Sequence, residues 1–239
     1  MTGSSRGLGA AIAVALAEAG ANIAIHGSRA VPELTEKQLK ETGANPLALV
    51  GDVSDVAVCA MLVEETVRHF GSIDILVNNA GIIRRAPAVD YSMEDWNAVI
   101  NTDLSSVFYL SQNAGRHMLA QGSGKIINIS SLLAFQGGIT VPSYAAAKGG
   151  VAQLTKAFAN EWASKGVNVN AIAPGYMSTD NTEALRNNPD RARQIMERIP
   201  AGRWGRPEDL AGAAVFLASS ASDYMHGHIM VVDGGWLNR

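Results

Sequence analysis

The stretch MTGSSRGLGA at residues 1–10 decides the fold, because its glycines at 3, 7 and 9 lead into an alanine-rich helical segment, 6–21. Glycine lets the backbone approach a phosphate closely, and a helix N-terminus offers N–H donors and the positive end of its dipole. A short β-type run, NIAIHG at 22–27, follows the helix. This order of loop, helix and strand predicts a phosphate-binding unit of an α/β sheet.

Strand-like and helix-like segments alternate along the rest of the chain. Helical patterns cover 57–71, 92–120 and 143–166, and apolar strand patterns cover 73–81, 124–131, 167–175 and 227–235. Apolar strands separated by helices are typical of a parallel sheet covered on both faces. With no linker or repeat between them, the sequence predicts an α/β fold, a doubly wound parallel sheet of Rossmann type, in a single domain over 1–239.

The strand that should precede the glycine loop is reduced to Met1. In a doubly wound sheet this strand is central, and its loss would leave unpaired backbone groups on both neighbours. We therefore expect several residues before Met1 in the full protein. An intact mass matching 239 residues and no more would refute this expectation.

Net charge, cysteine content and the lengths of the apolar runs argue against several classes of function. The formal net charge is −3 and no long block of like charge occurs, which argues against a nucleic-acid-binding surface. The single cysteine, Cys59, suits a reducing compartment, so a cytoplasmic location is expected. No apolar run approaches the ~20 residues that span a bilayer, and no basic and apolar leader precedes the first motif. We expect no metal site and no membrane partner.

Tyr144 and Lys148 form a YxxxK pair within SYAAAKGG, residues 143–150. Residues four apart share one helix face, so an ammonium would stand beside a phenol and lower its pKa by roughly 1–3 units, toward neutral pH. Ser131, at the end of a strand, would reach the same carboxyl edge of the sheet. Taken alone, the pattern also fits a half-buried tyrosine beside a lysine that extends to solvent.

Six motifs occur in a fixed order along this alternation: TGSSRGLG, GDV, NNAG, NISS, YAAAK and PGYMST. In them the chain resembles the short-chain dehydrogenase/reductase family over its whole length apart from the first strand. The resemblance implies that Tyr144 is the general acid/base and that Lys148 binds the nicotinamide ribose and lowers the pKa of Tyr144. It assigns the substrate oxygen to Ser131, with Ser130 as the neighbouring alternative.

Asp103 departs from the family pattern. It stands in INTDLSSVF, where the family usually has the asparagine of a proton relay, and it is included here among the catalytic candidates. Asn101 lies two positions earlier and points elsewhere on a helix, so it is no obvious substitute. Asp103 either holds the same water or alters the relay.

The resemblance also implies a nicotinamide dinucleotide. The residues expected to bind it, besides Tyr144 and Lys148, are Gly3, Ser5, Gly7, Leu8 and Gly9 at the pyrophosphate, Asp52 and Val53 at the adenine, Asn79, Ala80 and Gly81 at the ribose, and Pro174, Gly175 and Thr179 at the carboxamide. The second strand ends in IHGSR, without the acid that binds the ribose 2′-hydroxyl in NAD enzymes. Arg6 and Arg29 suit a 2′-phosphate, so NADP is favoured and NAD stays open.

Further stretches, among them NNAGIIRR, FQGGITVPSY, IPAGRWG and VDGGWLNR, resemble the sugar-acid branch of the family. That branch includes 2-deoxy-D-gluconate 3-dehydrogenases, also called 2-dehydro-3-deoxy-D-gluconate 5-dehydrogenases, and gluconate 5-dehydrogenases. The carboxylate of a sugar acid needs a cation, and its hydroxyl groups need hydrogen-bond donors or acceptors. The predicted substrate contacts are therefore Arg84, Arg85, Gln136 and Tyr176. The two arginines fit solvent or a subunit interface almost as well.

The polar segment 175–205, hereafter the lid segment, interrupts the alternation. The family uses this region to cover the substrate; a surface helical excursion is the alternative. Two other functions stay open, a 3-oxoacyl-carrier-protein reductase and a non-catalytic dinucleotide-binding protein. The family resemblance implies a homotetramer packed through the long helices.

Overall fold

The computed structural model describes residues 1–239, and its parallel strands alternate with helices as the sequence predicts. The strands are β1 (Ala24–Gly27), β2 (Leu47–Val50), β3 (Ile75–Asn78), β4 (Gly124–Ile129), β5 (Val167–Pro174) and β6 (Ile229–Val232). The α-helices are α1 (Gly7–Glu18), α2 (Glu33–Glu41), α3 (Val56–Phe70), α4 (Met93–Ile100), α5 (Ser106–Gln121), α6 (Pro142–Trp162), α7 (Glu183–Arg186), α8 (Pro189–Arg198) and α9 (Ala211–Ala218).

Residues 1–4 lie between two parallel ladders, β1–β2 and β3–β4–β5–β6. The amino group of Met1 donates to the carbonyl oxygen of Ala24 in β1 at 2.8 Å, and the Thr2 N–H donates to that of Val77 in β3 at 3.0 Å. This short segment joins the ladders into one doubly wound sheet. A cavity of about 320 Å³ lies between β1 and β3 beside Met1. The existence of residues before Met1 stays a prediction.

Three elements were missed by the sequence analysis, and one helix is interrupted. α2 (ELTEKQLKE) buries only Thr35 and Leu39, and β2 has four residues, so both patterns are weak. α9 (AGAAVFLA) is apolar on every side and shows no helical periodicity. The long helix predicted at 92–120 is interrupted by a π-helical turn, Asn101–Ser105, between α4 and α5.

The carboxyl edge of the sheet is held rigidly at its centre. All eight residues of β5 are buried between the helical layers, and β5 pairs with β4 over six residues and with β6 over four. The loops after β3, β4 and β5 therefore leave the sheet side by side, which is where ligands bind in open α/β sheets. No helix combines the length and the apolar character required to cross a membrane.

Candidate active site

Two adjacent serines follow β4 in different surroundings. Ser130 is buried, and its hydroxyl donates to the carbonyl oxygen of Lys148 at 3.3 Å. The Ser131 Oγ accepts a hydrogen bond from the Leu133 N–H at 3.2 Å, and Ser131 lines a cavity of about 560 Å³. Of the two, Ser131 is therefore the serine that can meet a substrate oxygen.

Tyr144 and Lys148 lie one turn apart near the start of α6, which begins with Pro142. The Lys148 Nζ lies 5.4 Å from the centroid of the Tyr144 ring and donates to the carbonyl oxygen of Ile129 at 3.0 Å. Only 4% of Lys148 is exposed. The predicted pairing of phenol and ammonium is present, and the end of β4 fixes the ammonium.

The pKa of Tyr144 differs from the sequence-based expectation in its net direction. Burial raises it above its ordinary value and outweighs the lowering by the Lys148 ammonium. The Asp103 carboxylate raises it further, whereas Ser131 and Arg85 lower it. Lys148 lowers the pKa of Tyr144, as predicted. The expected net fall of this pKa toward neutral pH is wrong, because the burial of the phenol outweighs the effect of Lys148.

Asp103 lies in the π-helical turn and is fully buried. Its Oδ1 accepts a hydrogen bond from the Ile82 N–H at 2.8 Å, while its Oδ2 has no hydrogen-bond partner and lies 3.6 Å from the Lys148 Nζ. Burial raises the pKa of the Asp103 carboxyl, and Lys148 opposes this rise. π-helical turns within α-helices are frequent at functional sites. An acid thus contacts Lys148 where the family usually has an amide.

The glycine loop is held in one shape by close contacts. A Cβ on Gly9 would lie 2.2 Å from the carbonyl oxygen of Gly3, and one on Gly3, whose φ is +62°, would lie 2.8 Å from the Ala80 Cα. The Gly3 N–H donates to the His26 Nδ1 at 3.1 Å, and the Asn79 Nδ2 donates to the Gly3 carbonyl oxygen at 2.9 Å. The loop and the N-terminus of α1 form a cradle of backbone N–H groups suited to phosphate.

The residues predicted at the carboxamide and ribose lie on the same edge. Pro174 ends β5, and a Cβ on Gly175 would lie 2.5 Å from the Asp233 Cα. A Cβ on Gly7 would lie 3.6 Å from the Thr179 side chain, so the glycine loop faces the start of the lid segment. Gly81 has no room for a side chain either, because its Cβ would lie 2.9 Å from the Asp103 Oδ2.

The residues predicted at the adenosine end are mostly exposed. The Arg6 Nε pairs with the Asp180 Oδ2 of the lid segment at 2.8 Å. Arg29 and Asp52 are exposed as well, whereas Val53 is buried. Of the residues predicted at the pyrophosphate, Ser5 is exposed and Leu8 is half-buried.

The 560 Å³ cavity extends from Ser131 and Tyr144 to the lid segment. Three of the four predicted substrate residues line it, namely Arg85, Gln136 and Tyr176. Arg84 does not: its Nε pairs with the Asp95 Oδ1 at 3.2 Å at the surface. The structure therefore separates two arginines that the sequence analysis treated together.

The lid segment is attached at its base and packs on a small apolar cluster. Met177 bridges to Gly205, so the two ends of the segment meet. Ile195 of α8 is buried against Leu132 and Trp236. The Arg85 Nη2 also donates to the carbonyl oxygen of Asn181 at 3.2 Å, which joins the loop after β3 to the segment.

Sequence reasoning missed Arg191, Arg198 and Trp236, which also line the cavity. Arg191 and Arg198 are seven residues apart on α8 and therefore share one helix face, with Ile195 between them. The signal was present as this spacing of basic residues around a buried isoleucine. The polar composition of the segment as a whole hides the separate faces of its helices.

Comparison with known proteins agrees with this geometry. The family model described as enoyl-(acyl carrier protein) reductase matches residues 3–237. A 2-dehydro-3-deoxy-D-gluconate 5-dehydrogenase from Dickeya dadantii is 54% identical over 100% of this chain and 94% of its own length. Among solved structures, an Agrobacterium tumefaciens protein described as a candidate 2-deoxy-D-gluconate 3-dehydrogenase with bound NADP is 53% identical, with a TM-score of 0.92 over 100% of this chain and 95% of that one.

A gluconate 5-dehydrogenase from Burkholderia cenocepacia, in complex with NADP and tartrate, is 41% identical with a TM-score of 0.94, over 100% of this chain and 94% of that chain. The likeness thus extends over the whole length of the chain. The chain belongs to the short-chain dehydrogenase/reductase family of oxidoreductases.

Proposed function

We propose that this protein is an NADP-dependent dehydrogenase of sugar acids that interconverts a hydroxyl and a carbonyl at carbon 5 of a 2-dehydro-3-deoxy-D-gluconate-type substrate. The observation that carries the proposal is the cavity beside Tyr144, which arginines line and no aspartate or glutamate does. A cavity with unopposed positive charge favours an acid substrate. The Dickeya relative, named for this reaction, supports the choice.

The residues present fit a nicotinamide dinucleotide. The glycine loop cannot accept a Cβ at Gly3 or Gly9 without a clash, so the edge of the sheet presents bare backbone to a ligand. The glycine loop would hold the pyrophosphate, Asn79 the adjoining ribose, and Thr179 the carboxamide. Arg6 and Arg29 would hold a 2′-phosphate, which favours NADP, and NAD remains the second cofactor to test.

The chain's own residues supply the proton chemistry. The nicotinamide, when bound, accepts or gives the hydride. Ser131 donates a hydrogen bond to the reacting oxygen, and Tyr144 takes the proton from the hydroxyl during oxidation or returns it during reduction. The Lys148 ammonium stabilises the phenolate form of Tyr144. The Lys148 ammonium can pass a proton to the Asp103 carboxylate, which lies 3.6 Å from its Nζ, and the resulting amine can then take the proton that Tyr144 holds.

Assembly and location complete the proposal. A mostly apolar surface groove of about 440 Å³ is formed by the π-helical turn, α5 and α6, and its lining includes Leu104, Phe108, Gly150 and Leu154. We propose that two copies pack through this groove within a homotetramer, which light scattering of the purified protein would measure. The buried thiol of Cys59 is compatible with action in the cytoplasm.

The absorbance of reduced nicotinamide tests the proposal. Purified enzyme is assayed with NADP⁺ and NAD⁺ separately on 2-dehydro-3-deoxy-D-gluconate, 2-deoxy-D-gluconate and D-gluconate. A 3-oxoacyl thioester is assayed in the reducing direction with NADPH. We expect turnover of the first substrate with NADP⁺. Turnover of the thioester alone would move the protein to the acyl reductases, and tight cofactor binding without any turnover would indicate a non-catalytic member.

A further inference from the structure

Three guanidinium groups reach the substrate cavity, and they differ in what already binds them. Arg198 packs on the Trp236 ring at 4.1 Å and donates to the carbonyl oxygen of Arg239. Arg85 donates to the carbonyl oxygen of Asn181. Each of these two is therefore held by the protein in a defined place.

Arg191 is the third, and its charge has no counter-ion. Its Nη1 donates to the neutral Gln194 Oε1 at 3.1 Å, and no carboxylate lies within 4 Å of it. The side chain is half-buried in the cavity wall. Arg193, two residues along the same helix, pairs with Asp190 at 3.1 Å outside the cavity. An arginine that faces a cavity and is oriented by an amide keeps its remaining N–H donors for a ligand anion.

The two ends of the cavity are distinguished by their distance from the reacting group. Arg85 lies in the loop after β3, where the N–H of its neighbour Ala86 donates to the carbonyl oxygen of Thr140, just before α6, at 3.0 Å, and its charge lowers the pKa of Tyr144. Arg191 lies on α8, whose Ile195 packs on Leu132 and Trp236. Arg85 therefore belongs to the reacting end of the cavity, and Arg191 belongs to the end formed by the lid segment.

We propose that Arg191 binds the C1 carboxylate of the sugar acid and so selects for reaction at carbon 5. The inference rests on the proposed function. In a substrate oxidised at carbon 5, four carbon–carbon bonds separate the reacting carbon from C1; in one oxidised at carbon 3, only two do. The longer separation carries the carboxylate away from Arg85 and toward α8. Arg85 then remains for the hydroxyl groups next to the reacting carbon.

Kinetics of matched variants test the assignment. Arg191→Gln, Arg191→Lys and the control Arg193→Gln are assayed with NADP⁺ on 2-dehydro-3-deoxy-D-gluconate and on its uncharged C1 amide. Loss of a charge-assisted contact should raise the KM for the acid about 10- to 100-fold in Arg191→Gln, with kcat little changed. Arg191→Lys should recover part of the loss, and Arg193→Gln should behave as wild type. The KM for the amide should be the same in all four enzymes.

A KM for the acid that does not change in Arg191→Gln, or an equal rise for the acid and the amide, would overturn the assignment. Calorimetric titration of the acid into NADP⁺-loaded enzyme carrying Tyr144→Phe, with and without Arg191→Gln, reads binding without turnover. If the wild-type enzyme shows no turnover but this titration shows binding that depends on Arg191, the carboxylate site is supported and the proposed reaction is refuted. Turnover with a KM independent of Arg191 would do the reverse.

Discussion

The catalytic floor (Ser131, Tyr144, Lys148 and Asp103) and the lid segment hold their charged groups in different ways. On the floor, Lys148 is 4% exposed and Asp103 is fully buried, and each is bonded to the backbone of the sheet or of its loops. In the lid segment, Arg191 is half-buried and is held by a single amide of its own helix.

Their supports differ as well. Beneath the floor, the Asn78 Nδ2 donates to the Asn128 Oδ1 at 2.9 Å, and the Asn128 Nδ2 donates to the Thr155 Oγ1 at 2.9 Å, which ties β3, β4 and α6 together. The lid segment rests on a small cluster around Ile195 and Trp236. Proton chemistry needs fixed atoms, whereas substrate recognition tolerates a support that moves. Changes on the floor should therefore alter kcat, and changes in the lid segment should alter KM.

Tyr144→Phe should have the largest effect, because it removes the proton-transfer group and leaves the ring in place. We expect kcat to fall roughly 10²- to 10⁴-fold while cofactor affinity is kept. Steady-state kinetics and a fluorescence titration with NADPH measure the two quantities. Tyr91→Phe is the matched control, since its hydroxyl contacts the Ser143 Oγ at 2.6 Å, and its kcat should stay near that of wild type. A Tyr144→Phe enzyme with wild-type kcat would place the acid/base elsewhere.

Asp103→Asn should have a smaller effect, which appears as a shift in the pH dependence of kcat/KM. The Asp103 carboxylate raises the pKa of Tyr144, and Lys148 and Arg85 lower it. Removing the negative charge should lower this pKa, so that the phenolate base of the oxidation is available at lower pH. The rise of kcat/KM with pH should then move to lower pH, with thermal melts as a check on the fold.

Asp95→Asn, at the surface pair with Arg84, is the control for the pH profile. An identical profile in Asp103→Asn and wild type would show that Asp103 is uncharged during oxidation. The buried oxygen without a partner, Oδ2, would then belong to a neutral carboxyl group, in line with the raised pKa of Asp103.

The floor was largely predictable from sequence, and the lid segment was not. Tyr144 and Lys148 are four residues apart on one helix, so their contact follows from helical geometry, and Ser131 follows from the end of a strand. The net pKa of Tyr144 was missed because it depends on burial, which adjacent residues in sequence do not reveal.

The arginines show the same limit. Arg84 and Arg85 are neighbours in sequence, yet one pairs with Asp95 at the surface and the other lines the cavity. Arg191 is more than a hundred residues away and reaches the same cavity as Arg85. Such contacts are decided by how the lid segment packs on the sheet, and local periodicity carries only part of that information.

Protection of the lid segment from trypsin should be the smallest effect. α7 and α8 contain four cleavage sites, Arg186, Arg191, Arg193 and Arg198. We expect NADP⁺ with 2-dehydro-3-deoxy-D-gluconate to slow cleavage there only a few-fold, because the segment is already seated through Arg85 on Asn181. Cleavage at Arg68 and Arg116, exposed on α3 and α5, serves as the internal control and should not change.

The ion pair between Arg6 and Asp180 sharpens this last test. Both side chains are more than half exposed, so the pair should hold the segment weakly. Without ligands, trypsin should therefore cleave the Asp180→Asn variant at nearly the wild-type rate. The pair nevertheless joins the glycine loop to the lid segment, so NADP⁺ alone should give part of the protection. Equal cleavage rates with and without ligands would show that the segment does not close over the substrate, and the contrast between floor and lid segment would then rest on KM alone.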